Sequence, residues 1–227
     1  MCCENLAEPA RKIKLRHQLS DHFDTNQFKT FTGGPLDTNA YFLESPGGNI
    51  LFDAPQGADD RFAREKVDWL LLTHGHFDHT ADAAAIQRRH GCRIGYHPET
   101  APMATDRGFF RRMGFELEIE PFSADRLLEE CDECEVAGVK MRLFHVPGHC
   151  PGSLCFFFPE PLVLIGGDVL FQGGVGRWDL PGGDGPLLFE GIRRKLFPLD
   201  PATVVYPGHG PATTIGYERD HNPYVEA

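Results

Sequence analysis

The 227-residue chain is expected to fold as an α/β (α+β) protein. Apolar runs of strand length recur along it, and stretches with helical spacing separate them. Most of these runs stop at a turn containing Gly or Pro. Composition allows a sizeable core, since 41% of residues are hydrophobic and 24% charged, ordinary values for a globular protein.

Residues 1–30 are polar and without clear period, so they read as a lead-in segment holding at most one short strand, with 31–227 as a single domain. Residues 39–43 and 49–53 are expected strands around the turn Pro46-Gly47-Gly48. A short helix is expected over 61–66, then an apolar strand over 67–73 that stops at His74. Residues 81–90 have helical spacing, with Gly91 placed to end the helix. A strand over 93–96 opens the least readable region, 98–130, where Arg, Glu, Phe and Met mix as in a helical excursion or a cap over a site. Strands are expected over 139–146, 154–158, 162–166 and 203–206, and a helix over 189–197. From Pro211 the tail is polar.

Residue types that bind metals gather at the ends of these runs. Thr73-His74-Gly75-His76-Phe77-Asp78-His79 places three imidazoles and one carboxylate within six consecutive residues. Pro147-Gly148-His149, Gly167-Asp168 and Pro207-Gly208-His209 add three more candidates. Neutral imidazole and carboxylate suit zinc, iron or manganese. His74, His76 and Asp78 alternate along an extended segment and His79 enters the next helix, so one loop can feed two neighbouring cations. The helical His-Glu-x-x-His arrangement, with ligands one turn apart, is a different pattern. Asp168 reads either as a helix N-cap or, with its two oxygens, as a bridge between two cations, and the bridge is favoured. Asp53 is expected to support a ligand from behind, and His145 to support one or to sit in the core. His17, His22, His90, His97 and His221 have no partner pattern and read as surface or structural.

Other features narrow the function. A net charge of −11 makes nucleic acid a poor partner. No apolar run reaches the roughly 20 residues that span a bilayer, and no apolar signal segment follows Met1. The seven cysteines form no secreted disulfide pattern, so a reduced, cytoplasmic location is expected. Cys131-x-x-Cys134 lies in an acidic run without a second pair, and reads as an exposed turn rather than a zinc or redox motif. Gly173-Gly174-Val175-Gly176 lacks the Lys-Ser or Lys-Thr of a phosphate-binding loop.

The His-x-His-x-Asp-His motif with its later His, Asp and His resembles the metallo-β-lactamase superfamily. Pro147-Gly148-His149-Cys150-Pro151-Gly152-Ser153, Gly167-Asp168-Val169-Leu170-Phe171 and Gly174-Val175-Gly176-Arg177 are most similar to its glyoxalase II (hydroxyacylglutathione hydrolase) branch. So is the ending from Tyr206-Pro207-Gly208-His209 to His221-Asn222-Pro223. The resemblance implies a four-layer αβ/βα sandwich with two divalent metal ions, zinc first and iron or manganese compatible. By position, His74, His76 and His149 would hold one ion, Asp78, His79 and His209 the other, and Asp168 would bridge. Arg177 matches a basic substrate-binding position, whereas Trp178 and Asp179 do not reproduce its aromatic partner. The implied reaction is attack of hydroxide, generated between the ions and oriented by Asp78, on a small thioester such as S-lactoylglutathione. A glutathione-persulfide dioxygenase using one iron shares the same histidines and stays open, as does a non-catalytic metal-binding module. The sequence leaves the oligomeric state and the acyl group undetermined.

Overall fold

The computed structural model describes residues 28–226, so the expectations for 1–27 lie outside the described residues. Two six-stranded sheets stack face to face. The first runs in chain order: β1 (Phe28–Gly33), β2 (Thr38–Leu43), β3 (Ile50–Phe52), β4 (Trp69–Leu71), β5 (Arg93–Tyr96) and β6 (Arg126–Leu127). Its β1–β2–β3 part is antiparallel and β3–β4–β5–β6 is parallel. The second sheet contains β7 (Cys131–Val136), β8 (Val139–His145), β9 (Leu154–Phe158) and β10 (Val163–Gly167), with β13 (Val204–Pro207) and β14 (Thr213–Thr214) beyond β10. The short pair β11 (Leu170–Phe171) and β12 (Gly174–Val175) forms a separate hairpin.

Side chains along the strands alternate between two apolar layers. Tyr41, Leu43, Ile50, Phe52 and Leu71 of the first sheet meet Met141, Leu143, Phe156, Phe158 and Ile165 of the second. The intervening residues Phe42, Leu51 and Leu70 face outward, against α1 (Ala58–Arg61), α3 (Ala83–His90), α4 (Ala101–Thr105) and α5 (Phe109–Arg112). On the second sheet Cys155, Phe157 and Leu164 do the same, against α6 (Gly185–Gly191), the π-helical turn Ile192–Leu196 and α7 (Ile215–His221). A period of two that is apolar on both faces is what a strand covered on both sides requires. The result is the αβ/βα four-layer sandwich. Among the described residues, no helix is long and apolar enough to cross a membrane.

Several expectations shift. The first strand starts at Phe28, inside the stretch read as lead-in, because it pairs with β2 along its whole length. The helix expected over 61–66 is Ala58–Arg61, started by Gly57 at φ 94°, and the chain turns from Phe62. The helix expected over 81–90 is α3, which begins at Ala83, and a separate short helix α2 (Phe77–Thr80) precedes it. Residues 98–130 are a helical excursion whose Met103, Phe110, Ile119 and Phe122 pack into the first sheet's outer layer. Cys131-x-x-Cys134 is no exposed turn. It lies in β7, where a bulge between the two cysteines shifts the register against β8 and turns Cys134 into the inter-sheet core. Acidic residues on the outer face hid the inward period. The polar tail contains α7, capped by the Thr214 side chain accepting from Tyr217 N–H.

Candidate metal centre

Each candidate ligand leaves a strand at one edge of the sandwich. His74 and His76 follow β4, His149 follows β8, Asp168 follows β10 and His209 follows β13, while Asp78 and His79 open α2. Parallel strands deliver three of these turns to the side where strand carboxyl ends face a common crevice. Backbone bonds stitch the turns together. Leu154 N–H donates to Thr73 C=O (2.7 Å), Gly208 N–H to Gly167 C=O (2.8 Å), and Ala54 N–H to His79 C=O (2.8 Å).

All seven candidates converge. Donor atoms of His74, His76 and His149 lie within 4.8 Å of one another, and so do those of His74, His79 and Asp168, and of Asp78, His79 and His209. Asp168 reaches both outer groups, with its Oδ2 3.5 Å from His149 Nε2 and 3.4 Å from His209 Nε2. It is therefore no helix cap. Glycines make this approach possible. A Cβ on Gly208 would overlap Asp168 Oδ1 and stand 2.6 Å from His79 Cε1, and Gly148 holds φ 127° while its turn aims His149.

The ring nitrogens are sorted by their partners. A carbonyl oxygen can only accept, so His149 Nδ1–H donates to Arg177 C=O (2.7 Å) and His209 Nδ1–H to Leu36 C=O (3.0 Å). His79 Nδ1–H donates to Asp53 Oδ2 (2.8 Å). The Thr73 hydroxyl donates to Asp53 Oδ2 (2.8 Å) and so accepts from His74 Nδ1–H (3.0 Å). In the neutral, metal-binding form of all four rings the lone pair is thus on Nε2, facing the centre. His76 instead presents Nδ1, 2.9 Å from His149 Nε2. Buried His74 Nε2 has no hydrogen-bond partner, and buried His79 Nε2 and Asp168 Oδ1 have only each other, 3.2 Å apart. An orphaned buried ring nitrogen is costly, and beside a carboxylate that faces several imidazoles it completes a donor set that a cation pair fits.

The charges are arranged consistently. Burial, with neighbouring imidazoles, lowers His74 well below its usual range and His76 to about 3. Burial also lowers His149. These three are neutral at pH 7, the form that binds metal. Burial would lower His79 and His209 too, but carboxylates outweigh it. Asp168, Asp53 and Asp78 push His79 well up, and Asp168 with Asp78 carry His209 to about 10. Against their own burial, Asp78 falls to about 2 and Asp168 well below its usual range, with His79 as the largest opposing influence on each. The crevice is thus a negative, partly dehydrated well for cations.

The supporting residues differ from expectation in detail. Asp53, at φ 60°, touches His79 directly and His74 through Thr73. His145 supports none of the seven directly; it stacks on His97 (centroids 3.9 Å apart) and donates to Pro151 C=O (2.7 Å), two residues past His149. His97 is buried by that stacking rather than lying on the surface. Arg177 contributes its carbonyl to His149, while its exposed guanidinium pairs with Asp179 (2.7 and 2.8 Å). Sequence reading missed Thr38, whose hydroxyl donates to Asp78 Oδ2 (2.9 Å), and Thr73. It also missed the Asn39 and Tyr41 side chains, which donate to Pro207 C=O (3.1 and 2.6 Å) and hold the His209 turn. Thr73 was findable by its place beside His74; Thr38 lies 40 residues before Asp78 and Asn39 168 residues before Pro207, and neither carries a local signal.

Known proteins share this sequence and fold. Hydroxyacylglutathione hydrolase GloC of Haemophilus influenzae is 38% identical over 160 residues, 70% of this chain and 76% of that protein. A crystal structure described as BLEG-1 B3 metallo-beta-lactamase is 37% identical with a TM-score of 0.79, covering 88% of this chain and 100% of that one. Another, described as TTHA1623 in a di-iron-bound form, is 36% identical with a TM-score of 0.77, covering 87% and 100%. The family profile described as the metallo-beta-lactamase superfamily matches residues 33–209, spanning the strands and turns that carry all seven converging donors. With its two stacked sheets and its His/Asp crevice, the chain belongs to the metallo-β-lactamase superfamily.

Proposed function

We propose that this chain is a dinuclear metal-dependent thioester hydrolase acting on a small S-acylglutathione such as S-lactoylglutathione. The observation that carries the reading is the division of seven donors into two triads with Asp168 reaching both. His74, His76 and His149 would hold one ion and Asp78, His79 and His209 the other. The identity with hydroxyacylglutathione hydrolase GloC supports the substrate class. Zinc fits the donor set, and the di-iron-bound relative makes iron the main competitor. The five described cysteines are free, which fits work in the cytoplasm.

A cation pair in this crevice supplies Lewis acidity and a water of lowered pKa. The chain's own groups do the rest. Asp78 Oδ2, fixed by the Thr38 hydroxyl and His209, is positioned to orient a nucleophilic water as well as to bind. The imidazole ring nitrogens are locked by carbonyl and carboxylate partners, so the site needs little reorganisation. Arg177, at the rim, would meet a substrate carboxylate in exchange for Asp179. No oligomeric partner, membrane or nucleic acid is needed for this chemistry.

The test is S-lactoylglutathione hydrolysis with elemental analysis of the same preparation. Asp168→Ala and His76→Ala should each lower kcat/KM by ~100-fold or more and reduce metal content. Full activity in either variant rejects the reading. Oxygen uptake with glutathione persulfide and one iron per chain would establish the dioxygenase instead, and β-lactam hydrolysis in preference to thioester would move the chain to its antibiotic-degrading relatives.

A further inference from the structure

We infer that Glu218 of the terminal helix α7 and Asn222, the residue that follows its last turn, are positioning residues for His149, acting through the β11–β12 hairpin. The inference rests on the metal-centre reading above only for its consequence, not for its geometry.

Glu218 is fully buried, and the groups hydrogen-bonded to its carboxylate are all neutral. Oε2 accepts from Gly173 N–H (3.0 Å) and Asn222 Nδ2 (2.8 Å), and Oε1 accepts from the Thr213 hydroxyl (2.5 Å). The same Asn222 amide donates to Gly174 C=O (3.0 Å). Two side chains, one in the helix and one just past its last turn, therefore grip both backbone groups of the Gly173-Gly174 hairpin turn. Burying a carboxylate without a cationic partner is expensive, and a tether for a terminal helix could be made from apolar contacts alone. Ile215 and Val225, fully or almost fully buried, already supply those contacts on either side.

What the hairpin connects explains the expense. β11 leaves from Asp168-Val169, and β12 returns through Gly176 to Arg177. Arg177 C=O is the acceptor that holds the His149 Nδ1 proton and thereby turns Nε2 to the centre. Clearance around the returning strand is small. A Cβ at Gly176 would stand 2.9 Å from the His149 ring, so sideways movement of this strand displaces the imidazole. Among the described residues, apart from the hairpin's own pairing and a long Gly176 N–H to Val169 C=O bond (3.4 Å), Glu218 and Asn222 provide the polar contacts that fix this turn. The short C-terminal helix thus sets a ligand some 70 residues earlier in the chain, a distance at which no motif announces it.

The decisive measurement is the His149 tautomer, read by long-range ¹H–¹⁵N NMR on the full chain stripped of metal. Wild type should show a single Nδ1–H form with a downfield proton. Glu218→Ala and Asn222→Ala should each give mixed tautomers, whereas Glu218→Gln, which can still accept from Gly173 N–H, should keep the native form. Should Glu218→Ala fail to fold, Asn222→Ala decides, since it frees Gly174 C=O and leaves Glu218 on Gly173. An unchanged Nδ1–H tautomer in the folded alanine variants overturns the inference and leaves α7 a plain tether. The expected consequence is a zinc affinity ~10–100-fold lower in the alanine variants. A wild-type protein that binds no zinc would sink the metal-centre reading, while the tautomer comparison would still decide this one.

Discussion

Imidazole becomes a ligand only when its proton is held elsewhere, and in this crevice four of the five converging rings have a named holder. Asp53 serves two rings, His79 directly and His74 through the Thr73 hydroxyl. Asp53→Ala should therefore weaken metal binding ~10–100-fold without unfolding the protein, as followed by competition with a chromophoric chelator. Unaltered affinity would show that the rings are oriented by packing alone. The charges give a second expectation. With no cation bound, His79 and His209 are protonated at pH 7.5, the latter because its value sits near 10, whereas His74, His76 and His149 are already neutral. A proton and a cation compete for the same lone pair, so loading should release close to two protons per chain, and affinity should fall as pH is lowered. Proton release into weakly buffered solution measures this, and a value near zero would contradict the assigned charges.

Strands and turns deliver these groups, and their legibility in the sequence followed their solvent exposure. The apolar runs ending at His74 and Asp168 could be recognised because strands buried on both faces read as continuous hydrophobic segments, and the run before His209, buried on one face, stops at a turn as they do. The bulged β7 could not, since its outer face carries Asp132, Glu133 and Glu135 and the extra residue breaks the period of two. Helix α7 escaped because its inward face includes Glu218, with Asn222 just past its last turn, polar residues that a hydrophobic period cannot reveal. The seven converging side chains were all visible, while the groups that orient them were visible only where they adjoin one of the seven in the chain. Turn geometry makes its own prediction. Gly208→Ala places a methyl against Asp168 and His79, so this smallest of substitutions should abolish loading of at least one ion while circular dichroism stays native. Normal loading would mean that the Pro207–His209 turn can yield.

The sandwich as a body works as a stiff frame for one edge. Phe52 from the first sheet lies 5.2 Å from Phe156 and 6.0 Å from Phe158 of the second, at the middle of the inter-sheet layer. Phe52→Ala should cost about 3–5 kcal/mol in urea unfolding, because facing sheets cannot collapse into the space an aromatic ring leaves. Since β3 also ends at Asp53, metal affinity should drop with stability in this variant and in no comparable way for a distant core change such as Leu196→Ala. On the proposed reading, the layers that exclude water, the strand ends that aim the candidate ligands and the carboxylates that attract cations would all serve a two-ion crevice. Titrating metal-stripped protein with zinc or iron while recording S-lactoylglutathione hydrolysis tests that view. The rate should climb to a plateau at two equivalents per chain. A plateau at one equivalent, or a fully loaded protein that leaves the thioester intact, would contradict it.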